Sequence, residues 1–223
     1  MAKRKLVIVG DSAFAEIARE YFDVDTDYEV VAFSVERAYM KQTELHGLPI
    51  VPFEELSENY SPHEHDVFVA IVYTQLNRLR TRLARDAKAK GFRLASYVSP
   101  RASVWRNVRL GEHVFIFEDN TVQPFVEVGD NVVLWSGNHI GHHSKLRENI
   151  FVSSHVVISG FCDIGSNSFL GVNSTIANNI VVGEDNWVGP GTILMKDTEP
   201  GALFRAVHAE PAKVTAPRFF KVA

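Results

Sequence analysis

Residues 139–146, His139-Ile140-Gly141-His142-His143-Ser144-Lys145-Leu146, sit inside a six-residue rhythm that decides the fold. Counting outward from Ile140, every sixth residue is aliphatic. Towards the N-terminus come Leu134, Val128, Val122, Ile116, Leu110, Val104 and Val98. Towards the C-terminus come Leu146, Val152, Ile158, Ile164, Leu170, Ile176, Val182, Val188 and Leu194. If such residues fill about a quarter of an ordinary chain, chance gives this unbroken run odds on the order of 10⁻¹⁰. The next position is often glycine (Gly111, Gly129, Gly141, Gly165, Gly171, Gly183, Gly189), and the fifth of each hexad is often small or β-branched, as at Val126, Ser144, Cys162 and Ser174. Short-period repetition of this kind predicts a stacked solenoid whose coils each bury one edge against the next.

Upstream of the rhythm the pattern changes. Residues 5–9 form a continuous apolar run closed by Gly10-Asp11-Ser12, and Phe14, Ile17, Ala18 and Tyr21 then follow helical spacing. Residues 28–35 and 66–73 read as further strands, residues 48–51 as a short strand or turn, and residues 77–90 as an amphipathic helix stopped by Gly91. Strands apolar on both faces and separated by helices predict a small parallel sheet of Rossmann-like type. The expected division is an α/β domain at 1–97, a solenoid at 98–198 and a tail at 199–223. In such sheets the turn after the first strand is the usual ligand position, because backbone amides and a helix N-terminus point there. Gly10, Asp11 and Ser12 are therefore candidate substrate-binding residues. The full G-x-G-x-x-G fingerprint is absent, which favours a nucleotide-derived substrate over a redox dinucleotide.

Composition narrows the class. The chain has 223 residues, 46% hydrophobic and 22% charged, with a formal net charge of −4. This balance gives no general electrostatic reason to bind nucleic acid or an anionic membrane. The apolar run after Met1-Ala2-Lys3-Arg4-Lys5 is too short for a signal peptide or a membrane span, so a cytoplasmic protein is expected. A single cysteine, Cys162, excludes an intrachain disulfide framework and any multi-cysteine zinc site. Its inward position predicts a packing role.

With Ile140-Gly141-His142 and the hexads in view, the region from Val98 to about Thr198 resembles the hexapeptide-repeat acyltransferases. That resemblance implies a left-handed parallel β-helix with three hexads per triangular coil. Together the two halves resemble the bacterial nucleotide-sugar N-acetyltransferases and sialic acid O-acetyltransferases. The resemblance implies acetyl-CoA as co-substrate, a homotrimer with active sites in grooves between subunits, and a nucleotide-linked amino sugar feeding a cell-surface glycan such as lipopolysaccharide. It also makes His142 the catalytic base and Gly160 the donor of an amide to the thioester carbonyl. His143 stands where close relatives often carry a Glu that orients the base, and Phe151 replaces a histidine that some relatives place beside the acetyl group.

If three hexads make one coil, residues 18 apart stack at about 4.8 Å. His142, Gly160, Asn178 and Lys196 then share one column. Acetyl transfer needs a base for the attacking amine or hydroxyl and a donor for the oxyanion, and an imidazole and a backbone N–H suit those tasks. His142 and Gly160 supply them at adjacent levels. Coenzyme A is expected to run from Gly160 past Asn178 to Lys196. His139 and His155 are further candidates for substrate binding. Two alternatives share the sequence: O-acetylation of a sugar hydroxyl, and a β-helical zinc enzyme of carbonic anhydrase type. Against the zinc enzyme, the side chains of adjacent His142 and His143 are expected to diverge, and no metal is expected.

Overall fold

A computed structural model describes residues 3–206 and 209–222. Residues 1 and 2 of the expected first domain, and 207, 208 and 223 of the expected tail, lie outside the described residues. The N-terminal half runs β1 (Arg4–Val9), α1 (Ala13–Asp25), β2 (Tyr28–Val35), β3 (Glu44–Leu45), β4 (Leu48–Pro52), α2 (Leu56–Asn59), β5 (His65–Val69), α3 (Arg78–Ala89) and β6 (Arg93–Leu94). The sheet order is β3-β4-β2-β1-β5-β6, with β3 antiparallel to β4 and the other pairs parallel. The chain builds outward from β1 through β2 to β4, then crosses back to β5 on the other side. The crevice at the C-terminal ends of β1 and β5 is thus the switch point where open α/β sheets take ligands. The strand expected at 66–73 ends at Val69. Beyond it, the Ile71 and Val72 carbonyls turn to accept hydrogen bonds from Arg80, at 3.2 and 3.0 Å, so they cannot continue the ladder.

From Tyr97 onward the chain forms a left-handed parallel β-helix of two-residue strands. Phe115 pairs with Val133, Thr121 with His139 and Glu127 with Lys145, so each coil is three hexads and three faces. The aliphatic hexad residues fill the interior, where Leu134, Ile140, Val152, Ile158, Ile164 and Leu170 are fully buried. Asn120 and Asn138 lie inside as well and bridge coils, Asn120 by donating to the Trp135 carbonyl and Asn138 by accepting the Val156 N–H. The pairing continues past residue 198: Trp187–Val188 pairs with Leu203–Phe204, two residues short of the 18-residue repeat.

The three faces differ in what they show outward. On the first face the outward strand residues include Tyr97, Phe115, Val133, Phe151, Phe169 and Trp187, which pack with Phe14, Phe22 and Phe68 of the α/β half in one apolar cluster. On the second they are Ser103, Thr121, His139, Val157, Thr175 and Ile193. On the third, Arg109 pairs with Glu127 at 3.5 Å and Asp163 accepts from Arg147. The α/β domain therefore docks on one face only. Arg80 of α3, fully buried, reinforces the joint by donating to Asn131 Oδ1, the Asn131 carbonyl and the Ile150 carbonyl at 3.1–3.2 Å. Among the described residues no helix is long and apolar enough to cross a membrane.

Candidate active site

The corner between the second and third faces carries the densest chemistry. Ile140 points inward, and Gly141 lets this coil close on the next, since a Cβ there would sit 2.5 Å from the Gly160 nitrogen. His142 follows, exposed, with its backbone N–H held by Gln123 Oε1 at 2.9 Å. His143 takes the left-handed corner conformation, φ +60°. The expected divergence of these two side chains is corrected: the left-handed turn leaves His142 Nδ1 and His143 Nδ1 3.1 Å apart. The His143 ring is stacked between Phe125 (4.7 Å, 28°) and Phe161 (4.8 Å, 19°), one coil to either side.

Gly160 lies against the His142 imidazole. A Cβ there would meet Cε1 at 2.9 Å and Nε2 at 3.0 Å, so only glycine leaves the ring its place. The Gly160 N–H donates to Asn178 Oδ1 at 3.0 Å. The column from His142 through Gly160 to Asn178 is thus assembled, with the backbone donor engaged by the asparagine. Lys196 is exposed just past the last strand of the second face. Cys162, buried beneath this corner, donates to the Ala177 carbonyl at 3.1 Å, and burial pushes its thiol pKa up.

The other candidate histidines lie elsewhere. His139 points outward from the second face. His155 occupies the corner between the first and second faces, φ +56°, its ring 2.5 Å from where a Cβ on Gly137 would stand. Neither shares a corner with His142. Phe151 is buried beneath the α/β domain, its ring 5.3 Å from that of Tyr73. Among the described residues no three His, Cys, Asp or Glu side chains form a group that could hold a metal ion.

A second candidate site sits at the switch point of the α/β sheet. A pocket of about 430 Å³ is lined by Gly10, Asp11, Ser34, Glu36, Thr74, Gln75 and Arg82, among others. Gly10 has φ +123°, and a Cβ there would sit 2.9 Å from the Ala70 carbonyl oxygen, so the turn needs glycine for packing as well. Ser12 is not part of the lining; its carbonyl accepts the Ala15 and Glu16 N–H groups and starts α1. The Ser34 hydroxyl is buried without a partner. Arg82 holds Glu36 by two hydrogen bonds of 2.9 and 2.8 Å, which cancels a charge that would repel phosphate. Gln75, Leu76 and Asn77 are all left-handed, and Asn77 fixes this strained rim to the β-helix through the Asn167 carbonyl at 3.0 Å.

No family model and no curated protein matches the chain. Solved structures do. The acetyltransferase domain of PglB from Neisseria gonorrhoeae is similar with a TM-score of 0.83 at 25% identity, covering 94% of this chain and 100% of that one. A histidine-to-asparagine mutant of perosamine N-acetyltransferase from Caulobacter crescentus, in complex with CoA and GDP-perosamine, gives 0.82 at 25% identity over 92% and 95% of the two chains. Over nearly its whole length the chain is similar in structure to these acetyltransferases. WeeI from Acinetobacter baumannii, 16% identical, is similar in fold, with a TM-score of 0.68 over 89% of this chain and 94% of that one.

Sequence reasoning missed the residues that pack around His142 and His143 and the ion pair at the sheet pocket. Phe125 and Phe161 were legible only as an aromatic pair flanking residue 143 at an interval of 18. Gln123 and the Arg82–Glu36 pair carried no motif at all.

Proposed function

We propose that this acetyltransferase moves an acetyl group from acetyl-CoA to the amine of a nucleotide-linked amino sugar destined for a cell-surface glycan such as lipopolysaccharide, with His142 as general base. The observation that carries the reading is the His142 imidazole lying against the side-chain-free Gly160 backbone. His142 Nε2 takes the proton as the amine attacks. The Gly160 N–H stabilises the developing oxyanion, which requires Asn178 to release it when the thioester enters. The proton on His142 then goes to the departing sulfur. A positioned general base and one oxyanion donor are each worth roughly 10²–10³-fold or more. No protein nucleophile is needed. The amine is preferred to a hydroxyl because the 25%-identical perosamine enzyme is named an N-acetyltransferase.

The nucleotide occupies the pocket at Gly10, Asp11, Ser34 and Thr74, with Ser12 at the head of α1 beside it. Asn178 and Lys196 flank the coenzyme's path, Lys196 meeting a phosphate, and His139 and His155 serve the sugar in an assembled groove. The α/β domain covers the first face, whereas His142 lies at the corner opposite that face. One chain's nucleotide pocket and its own base therefore face away from each other. A substrate that spans both needs two copies, which favours a homotrimer with grooves between subunits. Both substrates are phosphorylated and cross no bilayer unaided, which supports a reaction in the cytoplasm, where both would be made.

The test is acetyl-CoA consumption against UDP-, dTDP- and GDP-linked amino sugars, using the wild type, His142→Ala and His142→Asn. Turnover of one such sugar with a loss of 10²-fold or more in both variants is expected. Retention within about tenfold sinks the assignment of the base.

A further inference from the structure

We infer that His143 is a positioning residue that sets the tautomer of His142, and that Phe125 and Phe161 are present to hold His143 for that task. The inference rests on His142 being the base.

The contact itself carries the chemistry. Two imidazole nitrogens 3.1 Å apart are bonded only if one bears a proton and the other does not. A base acting through Nε2 must leave Nε2 unprotonated, so its own hydrogen sits on Nδ1. His143 Nδ1 is then the acceptor, and the His143 hydrogen sits on Nε2. A free imidazole favours the opposite form, with the hydrogen on Nε2, so His142 needs this acceptor. The bond survives the reaction, because the imidazolium still donates from Nδ1. The acceptor is a neutral ring and brings no fixed negative charge beside the thioester.

The clamp adds nothing to the interior of its own chain. Phe125 and Phe161 are 57% and 55% exposed, so neither fills a core. Both are held at φ +65° and +59°, a conformation costly for a residue with a bulky Cβ substituent. On the corner between the third and first faces, the same repeat position carries Asn131, Asn149, Asn167 and Asp185, which adopt it more readily. The two rings sandwich His143 nearly face to face, while Phe161 also meets the His142 ring edge-on at 5.0 Å and 88°. Stacking from both sides leaves the His143 ring little rotation about χ2, so Nδ1 stays turned to its neighbour.

The test separates holding from accepting. His143→Phe keeps the stack and removes the acceptor; His143→Glu restores an acceptor without the stack. Nitrogen NMR of ¹⁵N-histidine-labelled protein, with His142 assigned by its loss in His142→Ala, reads the tautomer without any substrate. The expected result is His142 protonated at Nδ1 in the wild type, shifted to the Nε2 form in His143→Phe and returned by His143→Glu. In turnover, His143→Phe is expected to lower kcat about tenfold to a hundredfold with the acetyl-CoA KM unchanged, and His143→Glu to recover most of it. An unchanged His142 tautomer in His143→Phe, or kcat within about threefold, overturns the inference. Should His142→Ala keep its activity while the tautomer still follows residue 143, the positioning stands and the reading of His142 as base fails.

Discussion

His113 and His143 occupy the same place in their hexads and the same left-handed corner conformation, φ +56° and +60°, yet they do opposite work. His113 lies where the third face meets the first, under the α/β domain, and is 1% exposed. Its Nε2 accepts the Val69 N–H at 2.9 Å, so Nδ1 carries the hydrogen and donates to Asn131 Oδ1 at 2.8 Å. Burial drives its pKa down to about 3, helped by the Arg80 cation and opposed by the Asn131 hydrogen bond. His143 lies at the corner farthest from that domain, exposed and stacked between two phenyl rings. The repeat dictates the backbone of both; what covers the corner decides whether the imidazole is a buried fastener or an exposed group open to a ligand.

The comparison can be broken at several points. The largest effect is expected at the open corner: His142→Ala should lower kcat/KM by 10²–10⁴-fold, about 3–5 kcal/mol, with an unchanged thermal melt. A comparable loss of stability there would mean that the open corner is a fastener too.

At the covered corner, Arg80→Met should cost about 3 kcal/mol by leaving the Ile71, Val72, Asn131 and Ile150 carbonyls short of donors. Burial lowers the Arg80 pKa to about 9, so the side chain is still a cation at neutral pH. In a chain of this size the melting temperature should fall by roughly 6–12 °C.

The next effect is a matter of pH. The folded-state pKa of His113 is depressed to about 3, while the unfolded chain binds that proton near pH 6.5. Its contribution to stability is full above pH 6.5 and is lost as pH falls towards 3. Denaturant melts should show a loss of about 2 kcal/mol from this group between pH 7 and pH 5. His113→Leu should start lower, by about 1–3 kcal/mol for the orphaned Val69 N–H, and lose that much less over the same interval.

Smallest is Asn178→Ala. It frees the Gly160 N–H from a competing hydrogen bond worth about 1 kcal/mol, so the acetyl-CoA KM should fall about fivefold. A rise in KM would instead make the asparagine a coenzyme ligand.

The solenoid was readable because its signal is one-dimensional: an aliphatic residue every six positions is forced by an interior too narrow for anything else. The stacking of Gly160 on His142 was readable from the same grid, since residues 18 apart stack. The faces were harder. Tyr97, Phe115, Phe151, Phe169 and Trp187 repeat at 18 or its multiple, and only folding the sequence at that longer period separates the docking face from the charged one. Arg80 was out of reach, because one arginine in an arginine-rich amphipathic helix looks solvated until the β-helix covers it. The meeting of His142 with His143 was misjudged for a local reason: neighbours diverge on an extended strand, but not across a left-handed corner.

The docked face also gives the molecule a scale. Because the α/β domain is fastened to particular coils through Arg80, Asn77 and the aromatic strip, the level of His142 along the stack is a count of coils. Arg80 grips Asn131 and Ile150, which bracket His142 in the chain, so the domain is fastened at the level of that histidine itself. The β-helix thus works as a ruler graduated in steps of about 4.8 Å, with its zero set beside His142.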